Sequence, residues 1–185
     1  MAKKIAPPAS ALASPPKDSH VPIVSSAHLA RGARPELSEF EYGLIIAEHA
    51  FNRWIVRCMA AAGMKDMTAM EVLVLHHVVH RDRAKKLADI CFVLNVEDTH
   101  VVNYALKKLV LLSFVESVRD GKEALYRATA EGVAACEAYR KVREQCLTAA
   151  LVGEGINGAE LSQSAGFLRM LSGLYDQASR AATSL

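Results

Sequence analysis

A chain of 185 residues, 51% hydrophobic but only 6% aromatic, has material for one buried core, and its abundance of Ala and Leu favours helix over sheet. A net charge of +2 is too small to announce nucleic-acid binding by bulk charge, and no apolar run approaches the roughly 18 residues that span a bilayer. The four cysteines, Cys58, Cys91, Cys136 and Cys146, are widely spaced with no C-x-x-C pair, each in an apolar helical context, and read as reduced, buried thiols in a cytoplasmic protein.

Residues 1–36 are rich in Ala, Pro and Ser and hold all six prolines. Neither a helical nor a strand period is visible there, so the segment reads as a disordered or extended tail. No sustained apolar stretch follows Lys3 and Lys4, which argues against a secretory signal. Residues 37–63 form the next region. Ser38-Glu39-Phe40-Glu41 has the pattern of a capping box, and Phe40, Leu44, Ala47, Phe51, Trp54, Ile55 and Cys58 recur at helical spacing up to a stop near Gly63.

Residues 64–130 carry the main signal. Thr68-Ala69-Met70-Glu71 is a second capping box, opening an apolar helix to about Val79. Two shorter helical segments follow, separated by a turn at Asn95-Val96-Glu97-Asp98 whose acidic residues suit the positive end of the next helix. Two strand-like runs then flank a charged glycine turn, Arg119-Asp120-Gly121-Lys122. Three helices and then a hairpin, in that order, make a winged helix-turn-helix, an architecture that usually lays one helix in the DNA major groove.

In residues 131–185, a helix capped by Thr129 runs to about Leu151, a glycine-rich break spans residues 153–158, and a last helix runs from about Ala159 to Ala182. Leu161, Ala165, Leu168, Leu171, Leu174, Tyr175 and Ala178 share one stripe of that helix. The fold class expected is therefore mainly α with a small β-hairpin wing, a winged helix-turn-helix flanked by long dimerisation helices. The flanking apolar stripes need a partner surface, and a second copy of the chain is the simplest one.

The third helical segment, Thr99 to Leu109, divides cleanly. Val102, Ala105, Leu106 and Leu109 fall on one face and should be core. Thr99, His100, Asn103, Tyr104, Lys107 and Lys108 fall on the other, where Asn can pair with adenine, Thr can offer a methyl to thymine and Lys can reach phosphate. Arg119 and Lys122 extend the candidate DNA-binding set to the wing tip. Lys65 to Ala130 carries ten basic and nine acidic residues, so affinity for phosphate has to come from local clusters such as Arg81/Arg83/Lys85/Lys86.

Residues 38–182 resemble the MarR family of bacterial winged-helix regulators. The likeness rests on Met67-Thr68 with Val72-Leu73-Val74-Leu75, on Leu87-Ala88, on Leu109 followed by Ser113-Phe114-Val115, and on Ala128-Thr129-Ala130-Glu131-Gly132. The chain departs from the family pattern in its short wing tip, Arg119-Asp120-Gly121-Lys122-Glu123, and in the apolar run Val110-Leu111-Leu112 where that family carries charge. The resemblance implies a homodimer, double-stranded DNA as partner, and a pocket for a small-molecule effector between the dimerisation and DNA-binding parts. Trp54, Arg53 and His49 could line such a pocket, with dimer packing as the plainer role.

No catalytic motif is present, so no enzyme activity, cofactor or metal is expected. Membrane association is not expected either. Two other readings stay open: an adaptor that uses the winged helix for protein contacts, favoured by the short wing and near-neutral charge, and a redox- or metal-sensing regulator, using Cys58 or the His76, His77 and His80 group.

Overall fold

The computed structural model describes residues 35–121 and 123–185; the expected tail before residue 35, and Lys122, lie outside the described residues. The chain divides into two compact units, Met1–Glu48 and His49–Leu185. The boundary falls within helix α1 (Pro35–Ala61). This helix begins three residues before the expected capping box, so Ser38 lies inside it and is not its N-cap. Pro35 supplies the first position, where a missing N–H is no loss. In the first unit, Leu37, Leu44, Ile45 and Ile46 all lie exposed along α1.

The second unit holds the core. Helix α1 ends in a left-handed turn at Gly63 (φ +99°), where the Gly63 N–H donates to Ala60 O and the Met64 N–H to Met59 O. This pairing closes the last turn of a helix and favours glycine at its left-handed position. Helix α2 (Ala69–Val79) has the expected capping box, with the Glu71 N–H donating to Thr68 Oγ1 and the Thr68 N–H to Glu71 Oε2. Strand β1 (Lys85–Lys86) leads into α3 (Leu87–Leu94), and α4 (Thr99–Leu111) follows. Strands β2 (Val115–Asp120) and β3 (Glu123–Ala128) form the wing.

The wing is part of a three-stranded antiparallel sheet in the order β1–β3–β2, not a lone hairpin. Lys85 pairs with Tyr126 and Lys86 with Leu125, while β2 and β3 stay in register from Val115↔Ala128 to Asp120↔Glu123. Two lysines have no period to read, which is why sequence pattern misses β1. Lys85 is nonetheless only 4% exposed. Its Nζ donates to Val78 O (2.8 Å), His80 O (2.6 Å) and Arg83 O (3.4 Å), capping the end of α2 with a cation.

Helix α5 (Ala130–Arg143) continues through a π-helical turn (Glu144–Thr148) into α6 (Ala149–Gly153), and α7 (Gly158–Ala182) closes the chain. Asn157 caps α7 through a capping box with Glu160. The core gathers Ile55, Cys58 and Met59 of α1, Val72, Val74, Leu75 and Val78 of α2, Ile90 of α3, Val102, Leu106 and Leu109 of α4, and Val115 of β2. Each fully buried aliphatic side chain contributes about 1.5–3 kcal/mol relative to exposure. Helix α7 stands apart from this core: none of its residues is buried, and Leu161, Phe167, Leu168, Met170 and Leu174 are all about half exposed.

Candidate nucleic-acid interface

The helix-turn-helix is set by two local devices. Asn95 ends α3 in the left-handed region (φ +53°), a conformation asparagine tolerates well. Asp98 then caps α4, its Oδ1 accepting from the His100 N–H at 2.9 Å. These fix the rotation of α4 about its axis. Val102, Ala105, Leu106 and Leu109 are buried, at 0–4% exposure, as their spacing predicts. The opposite face presents Thr99, His100, Tyr104 and Lys107 to solvent, with Asn103 half-buried beside them.

Tyr104 is 70% exposed, and Lys107 Nζ lies 5.5 Å from its ring centroid. This cation–π contact orders both side chains on the outer face. Lys108 behaves differently. Its Nζ donates to Asp66 O at 2.5 Å and pairs with Glu71 Oε2 at 2.9 Å, so it is turned towards α2 and the turn before it.

The wing is anchored by a compact device around Thr129 and Gly132. The Thr129 hydroxyl donates to Ser113 O (2.7 Å) and accepts from the Gly132 N–H (3.1 Å), while the Thr129 N–H donates to Phe114 O (3.1 Å). A Cβ on Gly132 would stand 2.1 Å from Phe114 O, so only glycine fits. This is the physical content of the Ala-Thr-Ala-Glu-Gly run. Arg119 is exposed on β2 near the tip, where Gly121 turns with φ +61°. Two other wing cations are matched by acids: Arg127 Nη2 with Glu116 (2.6 Å) and Lys86 with Glu123 (2.5 Å).

A separate cleft of about 270 Å³ lies among α1, α2 and α5, lined by Phe51, Trp54, Leu73, His76, Tyr139, Arg143 and Leu147. The His76 ring packs edge-on against Tyr139 (centroids 4.5 Å apart), and its Nε2 is buried without a hydrogen-bond partner. Burial, and secondarily the charge of Arg143, hold the His76 imidazole below its usual pKa. Trp54 reaches this cleft, whereas His49 and Arg53 are exposed outside its lining. Sequence reasoning missed Tyr139 and Arg143, because nothing in one sequence brings α5 against α1. Cys58 is 1% exposed, and desolvation pushes its thiol pKa up. That is the reverse of what a reactive sensor thiol needs. His80 is exposed at the C-terminal end of α2. No group of three His, Cys, Asp or Glu among the described residues is placed to hold a metal ion. No described helix is long and apolar enough to cross a membrane.

Residues 67–132 match the family model of a winged helix DNA-binding domain. Comparison with curated sequences gave no match. Among solved structures, the chain is similar to a cysteine-to-serine mutant of MarR from E. coli complexed with operator DNA, at 19% identity and a TM-score of 0.61, over 76% of this chain and 99% of that one. It is similar to MepR, a transcription regulator of the Staphylococcus aureus multidrug efflux pump MepA, at 19% identity and a TM-score of 0.52, over 73% and 98% of the two chains. It is also similar to CouR from Rhodococcus jostii bound to p-coumaroyl-CoA, at 13% identity and a TM-score of 0.56, over 71% and 90%. The chain carries a winged helix-turn-helix in the fold of the MarR regulators.

Proposed function

We propose that this chain is a MarR-type, sequence-specific transcriptional regulator that binds double-stranded DNA as a homodimer. The observation that carries the reading is the division of α4: an aliphatic face sealed into the core and a polar face of Thr99, His100, Asn103, Tyr104 and Lys107 left to solvent beside the wing. A surface helix needs only one buried face to fold, and the chemistry on the other is suited to base edges and phosphates. Arg119, with Lys122, would extend the contact to the wing tip. The cytoplasm is the compartment where such a protein meets its DNA.

The exposed apolar residues of α7 and of α1 support dimerisation through these helices, with residues 37–63 and 131–185 as the dimer-forming regions and 64–130 as the DNA-binding region. Two α4 helices related by a two-fold axis would read half-sites about 10 base pairs apart or a multiple of that. An effector fits best in the cleft beside Trp54, His76, Tyr139 and Arg143, whose aromatic walls and single guanidinium suit a small aromatic anion. A gel shift with genomic fragments tests the function. A shifted fragment that its own unlabelled copy displaces far better than a scrambled copy supports the reading. Equal displacement by both, or no shift, favours the adaptor reading.

A further inference from the structure

Two adjacent lysines end the polar part of α4, and they do different things. Lys107 lies out over Tyr104, whereas Lys108 Nζ makes two contacts on the neighbouring element, to Asp66 O and to Glu71 Oε2. The same Glu71 oxygen accepts the Thr68 N–H at 2.8 Å in the cap of α2. Glu71 is 7% exposed, so its carboxylate depends on these partners. Asp66, whose carbonyl Lys108 takes, is held at φ +63°, a left-handed conformation uncommon for a residue with a side chain. A lysine leaving this site for a DNA phosphate would abandon a nearly buried carboxylate and place it near the incoming anion. Both effects oppose the move.

We propose that Lys108 is a positioning residue, a strut that holds α4 to the turn between α1 and α2 and so sets the angle at which the outer face of α4 meets base edges. The proposal rests on the reading of α4 as the DNA-reading helix. Lys108 sits nine residues from Thr99, about 14 Å along the helix axis. A tilt of α4 by about 10° about a pivot at Lys108 would move Thr99 by about 2 Å, beyond the roughly 0.5 Å within which a reading group has to be held. The turn that Lys108 grips begins where α1 ends, so the strut also joins the end of α1 to the reading helix.

The test uses the full chain and three variants, Lys108→Met, Glu71→Gln and Lys107→Met. The probes are a duplex that the parent enriches from a randomised pool and its scrambled counterpart. Each is titrated at several salt concentrations, well below the melting temperature of every variant. A strut predicts that Lys108→Met and Glu71→Gln lower the preference for the enriched duplex about 2- to 30-fold, with the salt slope unchanged. Lys107→Met should instead lower the slope by about one per subunit. If Lys108→Met weakens both duplexes equally and lowers the slope, Lys108 is a phosphate anchor and the proposal is wrong. Unfolding of Lys108→Met, Glu71→Gln and the double variant gives a readout free of DNA: the double variant should lose less than the sum of the singles. Strict additivity overturns the strut. A parent chain that enriches no duplex refutes the DNA reading itself, and with it any role of Lys108 in readout, a result distinct from failure of the strut alone.

Discussion

Gly132→Ala is the sharpest perturbation of the wing anchor. The added methyl would lie 2.1 Å from Phe114 O and 3.0 Å from Phe114 C, and both are backbone atoms that cannot rotate aside. Restoring ordinary contact requires α5 and the start of β2 to separate by about 1 Å. Phe114 O then loses its hydrogen bond from the Thr129 N–H, and the Thr129 hydroxyl can no longer serve both Ser113 O and the Gly132 N–H. Overpacking costs about 1–3 kcal/mol and a lost hydrogen bond about 1 kcal/mol more, so a loss of about 3 kcal/mol is expected. In a chain of this size that lowers Tm by about 6–12 °C. Gly153→Ala is the control, since nothing lies within 4 Å of its added Cβ and helix propensity favours alanine. Thermal and urea unfolding of both variants decides the matter. If Gly132→Ala melts with Gly153→Ala, the wing is not anchored as described.

Leu106→Ala should cost about 2–5 kcal/mol by opening a cavity under α4, whereas Leu111→Ala, at 83% exposure, should cost almost nothing in urea unfolding. His76 and His77 both have pKa values lowered chiefly by burial. The unfolded chain therefore takes up their protons first as pH falls, so this part of stability is fully present above about pH 6.5 and is lost as pH falls below it. His76→Gln should flatten the decline of Tm with acidity, and an unchanged slope would remove His76 from the account. Among the thiols, Cys146 is exposed, Cys58 and Cys91 are buried, and desolvation pushes Cys136 up to about 11. A thiol reagent at pH 8 should label Cys146 first, and rapid labelling of Cys58 would reopen the redox reading. Sedimentation at micromolar concentration should show a species of about twice 20.1 kDa; a stable folded monomer would contradict the covering of α1 and α7 by a second copy.

Where local chemistry decides structure, the sequence was readable. The Thr68/Glu71 box, the cap at Thr129 and the buried face of α4 all appear as their spacing predicts, whereas Asp98 was readable only as part of an acidic turn and the structure makes it the cap of α4. The start of α1 was misplaced because Ser38 and Glu41 also fit the capping pattern, while Pro35 is equally at home in a first turn. Strand β1 and the π-helical turn at Glu144–Thr148 carry no periodic signal and are products of tertiary packing. The candidate site was legible as a face but not residue by residue. Lys107 and Lys108 are indistinguishable in the sequence, and only the position of Glu71 and Asp66 in space separates them. The cleft at His76, Tyr139 and Arg143 depends on contacts across more than 60 residues of chain, which no local pattern encodes.

The central claim is that the outer face of α4 reads DNA, and paired titrations of Asn103→Ala and Lys107→Ala on an enriched and a scrambled duplex test it most directly. Asn103→Ala should cost on the order of 1–3 kcal/mol on the enriched duplex and little on the scrambled one. Lys107→Ala should weaken both about equally and lower the salt slope by about one per subunit. Binding by both variants that matches the parent on the enriched duplex would contradict the account and leave the winged helix as a surface for protein contacts.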